Sequence, residues 1–273
     1  MSLRRLLGRQ LLVGVAMSVL LAPFATADDT TLTKDQIKEF LLTAKVVNVR
    51  DSKKGVTHPL RLTLSDGKIT HDASFQRIDV HKNLMELESG RTEMNFVDSY
   101  KYNIAAYTLA ELLGVEDMLP VYVERKYRGE IGSLSWWLPV KMDEEERVRQ
   151  KIPAPDADAW NNQMYRIRVF DELIYDTDSN LTNVLIGEDW KIWRIDFTRA
   201  FRLYKDLRNP DNLVRCDRQL LEKLKTLDGG ELAARTKQYL TKDEVKGVMA
   251  RRDKIVTRFQ ELVKEKGEAS VLY

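Results

Sequence analysis

Asp178, Asn183 and Asp196 carry the strongest chemical signal in the sequence. Asp178 and Asn183 are five residues apart, and Asp196 follows thirteen residues later. Between the last two the chain reads VLIGEDWKIWRI, two short apolar runs around Gly187-Glu188-Asp189. That pattern predicts a strand over Val184–Ile186, a turn, and a return over Trp190–Ile195. A two-stranded hairpin brings its two ends together, so Asn183 and Asp196 are expected as neighbours with Asp178 close by. One amide oxygen and two carboxylates suit a hard cation such as magnesium, which keeps several waters and needs few protein oxygens. A free carboxylate beside such a cation can orient or deprotonate a hydroxyl. Turn chemistry alone also favours Asp and Asn at hairpin ends, so no single residue is diagnostic. The informative feature is the order of helix, loop, hairpin and Asp-Phe.

The flanking pattern supplies elements to hold these groups. A short helix is expected over Lys34–Ala44 with Thr33 as its cap, then a strand over Val46–Arg50 and a turn over 51–55. Leu60, Leu62 and Leu64 alternate with polar residues, Asp66-Gly67 marks a hairpin, and Ile69–Ile78 forms a third strand. Asn83–Val97 is charged and poorly patterned, and is expected as a loop. Asp98–Leu113 has a helical apolar face stopped by Gly114, and Pro120–Lys126 and Ile131–Leu138 read as paired strands. After the charged stretch Asp143–Lys151 and the Pro153-Ala154-Pro155 linker, Asp156 caps a helix carrying Trp160, Met164, Ile167, Phe170 and Ile174. Helices follow from Asp217, with a capping box at Thr241–Glu244. This predicts an α+β fold in two lobes, a sheet-rich N-lobe over 28–152 and a helical C-lobe over 153–273.

Composition narrows the function classes. The 273 residues are 43% hydrophobic and 32% charged, which fits a packed globule. A single cysteine, Cys216, excludes an internal disulfide framework and is read as structural. His58, His71 and His81 lack the spacing of a helical zinc site. Residues 1–27 carry Arg4, Arg5 and Arg9, an apolar run from Leu11 to Ala22 and the small-x-small triplet Ala25-Thr26-Ala27. They read as a signal peptide cleaved before Asp28, which implies export to a periplasm or the extracellular space, with no stable membrane insertion after cleavage. An uncleaved anchor is the alternative, but the apolar run is short for a bilayer span. Beyond residue 27 the charge is 41 basic to 42 acidic, so nothing marks a nucleic-acid binder. The sequon Asn180-Leu181-Thr182 falls inside the candidate site and is read as chance, and the Trp136-Trp137 and Trp190/Trp193 pairs as packing.

TDSNLTNVLI followed by WRIDFTRAF resembles the atypical kinase superfamily, which includes HipA-type toxin kinases, phosphatidylinositol 3-/4-kinases and secretory-pathway protein kinases. Their catalytic stretch runs Asp-Arg-His-x-x-Asn, then a hairpin, then a metal-binding Asp. GVTHPLRLTLSDGKITHDASFQRID is similar to the N-lobe strands, DSYKYNIAAYTLAELLG and VYVERKYRGEIGSLSWWLP to the helix and strand pair after them, and MYRIRVFDELIY and NPDNLVRCDRQLLEKL to the C-lobe helices, as in an exported bacterial branch of the group. The resemblance implies a bilobal protein-kinase-like fold and an ATP- and magnesium-dependent phosphotransferase acting on a protein or small-molecule hydroxyl. In it Asp178 is catalytic, Asn183 and Asp196 hold the metal, and Lys53, Lys54 and Gly55 represent the phosphate-covering loop. The sequence departs from that pattern at telling places. Ser179 and Asn180 replace Arg-His. Gln76 and Asn103 fall where the phosphate-pairing lysine and its glutamate partner belong, so both members of that ion pair are neutral. Lys101, Arg77, Lys53 and Lys54 are the candidate substitutes. Two further readings stay open: a pseudokinase acting as a nucleotide- or protein-binding module, and an enzyme that transfers a nucleotide to a side chain.

Overall fold

The computed structural model describes residues 32–51, 59–86, 90 and 92–273. The signal-peptide segment and Lys53, Lys54 and Gly55 lie outside them. Helix α1 (Lys34–Thr43) opens with a capping box in which Thr33 and Gln36 satisfy each other's backbone N–H groups. Five antiparallel strands follow in the order β1-β2-β3-β7-β6, with β1 over Lys45–Asp51, β2 over Leu60–Ser65, β3 over Thr70–Gln76, β6 over Tyr122–Tyr127 and β7 over Glu130–Trp136. Strand alternation puts Ala73, Phe75 and Leu134 in the core, whereas Ser74, Gln76 and Ser135 line a cleft. Helices α1 and α2 (Lys101–Leu113) both pack on β6 and β7.

The stretch expected as a loop over Asn83–Val97 is instead a hairpin, β4 (Asp79–Glu86) with β5 (Thr92–Ser99). Its two strands pair only with each other, and most of β4 is exposed on both faces. A strand wet on both faces needs no apolar alternation, which is why periodicity did not betray it. Residues 98 and 99 end β5 and do not begin α2. The charged stretch after Met142 also gains structure. Strand β8 (Met142–Asp143) leads into α3 (Glu144–Gln150), capped by Asp143, with three glutamates in its first turn that favour the positive end of the helix.

The C-terminal region is helical. Helix α4 (Ala157–Ile174) is capped by Asp156 and ends at Tyr175 in the left-handed conformation. The expected hairpin forms from β9 (Val184–Ile186) and β10 (Ile192–Arg194), and β8 adds to its free edge. Helices α5 (Arg218–Thr226), α6 (Gly229–Thr236), α7 (Lys242–Lys266) and α8 (Glu268–Val271) complete the chain. Cys216 is buried and bridges to Leu272 through the backbone. Among the described residues no helix is long and apolar enough to cross a membrane.

Arg194 joins these parts. It is fully buried, and its guanidinium binds Asp171 of α4 at 3.2 Å, Asp176 of the following loop, and the carbonyl of Ile195. Two carboxylates against one guanidinium leave an excess negative charge in a dry place. Burial and the neighbouring Asp176 charge push Asp171 up to about 6 despite Arg194. A carboxyl raised on folding binds its proton first in the folded chain, so this group's contribution to stability is greatest below about pH 4 and falls as pH rises through about 6. Replacing Asp171 by Asn keeps an acceptor for Arg194 and removes the excess charge. Urea unfolding should show Asp171→Asn gaining on the wild type between pH 4 and pH 6.5, with a constant difference above that range.

Candidate active site

The hairpin closes on itself as its sequence requires: Ile195 N–H donates to the Asn183 carbonyl at 3.0 Å. Asn183 is buried, and its amide nitrogen donates to the Asp178 carbonyl at 3.2 Å, leaving its oxygen as an acceptor. Asn180, at the position of the family's histidine, donates to the Asp178 carboxylate at 3.2 Å, and its own amide oxygen is engaged by Thr182. The Asp178 N–H donates to the Asp176 carboxylate at 2.9 Å, so the keystone ion pair also shapes this loop. Asp178, Asn183 and Asp196 are thereby assembled from three consecutive pieces of chain. Asn183 and Asp196 line the cleft, and Asp178 stands beside it.

Asp196 has φ of 60°, a left-handed conformation that costs an Asp less than most side chains. Its carboxylate has one long hydrogen bond, from the Gln76 amide at 3.4 Å. Burial raises its pKa. A half-buried carboxylate with spare acceptor capacity beside an amide oxygen fits a hard divalent cation that brings its own waters and phosphate oxygens. No cluster of three His, Cys, Asp or Glu side chains suited to a metal occurs among the described residues, so no all-carboxylate cage is found among them.

The neutral pair predicted at 76 and 103 is present as a pair. Asn103 donates to the Gln76 amide oxygen at 2.6 Å and to the Ser133 hydroxyl at 3.1 Å, and its oxygen accepts from Phe197 N–H at 2.8 Å. A chain of amide hydrogen bonds therefore runs from α2 through β3 to the Asp196-Phe197 turn. Every polar atom of Asn103 that the chain buries is used, as a buried amide requires. The other candidate cations are engaged elsewhere: Lys101 pairs with Asp79 at 2.8 Å and Arg77 with Glu130 at 3.1 Å, and neither lines the cleft.

The cleft itself encloses about 850 Å³ between the five-stranded sheet and the β8–β9–β10 sheet. Trp136, Trp137, Leu138, Met142 and Leu185 give it an apolar wall. Trp136 is packed between Phe40 and His71 and still borders the cleft, so the expectation of packing alone was too narrow. Its charged lining is Lys141 and Arg149 against Asp143, Glu145, Glu146 and Asp196. Sequence reasoning missed Asp98 on β5. One of its oxygens is buried without a hydrogen-bond partner, and burial, together with the Asp178 charge, raises its pKa despite Thr198 and Arg199. No periodicity or motif marks that position.

The architecture is shared with known proteins. No protein-family model matches the sequence, and no curated protein matches it. Among solved structures it is similar to hydra Fam20 with sugar, at 16% identity and a TM-score of 0.67, covering 91% of this chain and 93% of that one. It is also similar to the Golgi casein kinase, at 14% identity and a TM-score of 0.62, covering 90% and 78%. At such identities the likeness is one of fold: the chain has an atypical-kinase-like fold, α+β, with a sheet-rich N-terminal region and a helical C-terminal region.

The amide chain carries a stability consequence. Asn103→Leu leaves Phe197 N–H, Ser133 and Gln76 without their partner and should cost about 2–3 kcal/mol in urea unfolding, the range expected for stranding buried polar groups.

Proposed function

We propose that this chain is a magnesium- and ATP-dependent phosphotransferase that phosphorylates a hydroxyl of a protein or small-molecule acceptor. The observation that carries the reading is the placement of Asn183 and the left-handed Asp196 on the wall of a cleft large enough for a nucleotide, with Asp178 hydrogen-bonded to Asn183 through its carbonyl. In this reading the cleft's apolar wall takes the base. Asn183 and Asp196 would hold the magnesium, which would supply charge neutralisation to the phosphates. That help is needed, because the described lining is richer in carboxylates than in cations. Asp178, steadied by Asn180, orients the acceptor hydroxyl. The hydroxyl oxygen bonds to the γ-phosphorus as the bond to the ADP oxygen breaks, and the hydroxyl proton passes to the Asp178 carboxylate. In this reading the 28–152 and 153–273 segments are the two lobes.

A second reading has its own support. The Gln76–Asn103 amide pair supplies no positive charge to the phosphates, as in a pseudokinase that binds nucleotide or a protein without transfer. Isothermal titration with Mg-ATP and a γ-phosphate transfer assay separate the two. Under the phosphotransfer reading Asp178→Ala lowers transfer by about 10²–10⁴-fold while Mg-ATP still binds, the range for losing a positioned acid–base group. Asp196→Asn removes the metal-dependent part of ATP binding and leaves adenosine binding intact. Mg-ATP binding with transfer of neither the γ-phosphate nor the nucleotide to any acceptor, water included, selects the pseudokinase. We also propose that the chain is exported. Mass spectrometry of the secreted or periplasmic protein should give Asp28 as its first residue, and an intact Met1 there would contradict cleavage.

A further inference from the structure

Between β3 and α2 the chain inserts the β4–β5 hairpin, which joins no other strand among the described residues. A lone two-stranded hairpin is marginal in water, so its order must come from what it docks on. It docks on residues 198–202, the segment that leaves the site directly after Asp196-Phe197. Ser99 N–H donates to the Thr198 carbonyl at 2.8 Å, and Arg202 donates to the Val97 carbonyl at 2.9 Å. Glu93 divides its two oxygens between Arg199, at 3.0 Å, and Arg202, at 2.7 Å. Both guanidinium groups lie over the buried Phe96 ring, at 5.1 and 5.6 Å from its centre. Arg202 is only 5% exposed, and Glu93 is 15% exposed in its side chain. Glu93 lines no part of the cleft, so a carboxylate has been desolvated for contacts that serve only the segment.

That segment is short and tightly turned. It runs from Asp196 at φ 60° to Phe201 at φ 56°, and a residue held in the left-handed region persists only where its surroundings over-determine it. The amide chain from Asn103 holds one side of this turn through Phe197 N–H. The hairpin holds the other side through Thr198, Arg199 and Arg202. We propose that Glu93 is a positioning residue: through Arg199 and Arg202 the β4–β5 hairpin straps residues 198–202 and so fixes Asp196 for binding metal-bound phosphate. The consequence for Asp196 rests on the phosphotransfer reading, and the strapping of the segment does not.

The test uses the full mature chain, wild type and Glu93→Gln, which keeps the volume and removes the charge. Hydrogen exchange of backbone amides reports the segment, and calorimetry compares Mg-ATP with adenosine. Glu93→Gln should speed exchange over residues 197–204 by about tenfold and weaken Mg-ATP by about tenfold, the scale of one charge-assisted hydrogen bond. Adenosine affinity should not change, because the apolar wall proposed for the base includes neither Glu93 nor any of residues 198–202; general loosening of the fold would weaken both ligands alike. Arg199→Gln removes one arm of the clamp and should give the same pattern to a lesser degree, which covers the case in which Glu93→Gln does not fold. Unchanged exchange in a folded variant, or equal loss of adenosine and Mg-ATP binding, overturns the proposal. If the wild type binds neither ligand, the phosphotransfer reading fails separately, and the exchange rates alone decide whether Glu93 straps the segment.

Discussion

A guanidinium with no exposed surface lies at the centre of this molecule. Arg194 is the last residue of β10, yet it binds a carboxylate from α4, a carboxylate from the loop after α4, and the carbonyl next to Asp196. Burying such a charge is costly unless its hydrogen-bonding groups are met, and removing one partner of a buried pair typically costs about 3–5 kcal/mol. The helix, the loop and the hairpin are therefore free to vary only in ways that keep Arg194 satisfied. Asp176, its second partner, also accepts the N–H of Asp178. One electrostatic requirement thus sets the loop that carries the candidate base and the strand that delivers the candidate metal ligand.

Around that keystone the site is held by neutral contacts where a charged pair would be expected. Asn103 and Gln76 connect α2 to β3 and both to the Asp196-Phe197 turn. An amide pair gives the same mechanical link as a Lys–Glu ion pair without its desolvation cost, and it gives up the positive charge that would face a phosphate. Among the described residues the cleft's charged lining is four carboxylates to two cations, which favours cations over bare anions there.

The β4–β5 hairpin shows how an element without a core of its own becomes ordered. It supplies few buried side chains, Phe96 chief among them, and gains its order from the arginines of the segment it covers. The segment gains a fixed path in return, and that path ends at Asp196. Stability and site geometry are coupled here through a few charge-assisted hydrogen bonds and little apolar area.

The hairpin at 184–195, the helix before it and the approach of Asn183 to Asp196 were legible in the sequence, because local periodicity and a tight turn dictate them over a dozen residues. The same holds for the capped helices. The β4–β5 hairpin was not legible, since a strand exposed on both faces has no alternation to read. Nor were the partners of Arg194, the pairing of Glu93 with residues more than a hundred positions away, or the approach of Asp98 to Asp178. Those contacts join charged residues that look solvated in sequence. A charge carries no record of its partner, and only the packing of the two regions decides which side chains lose their water and must find one another.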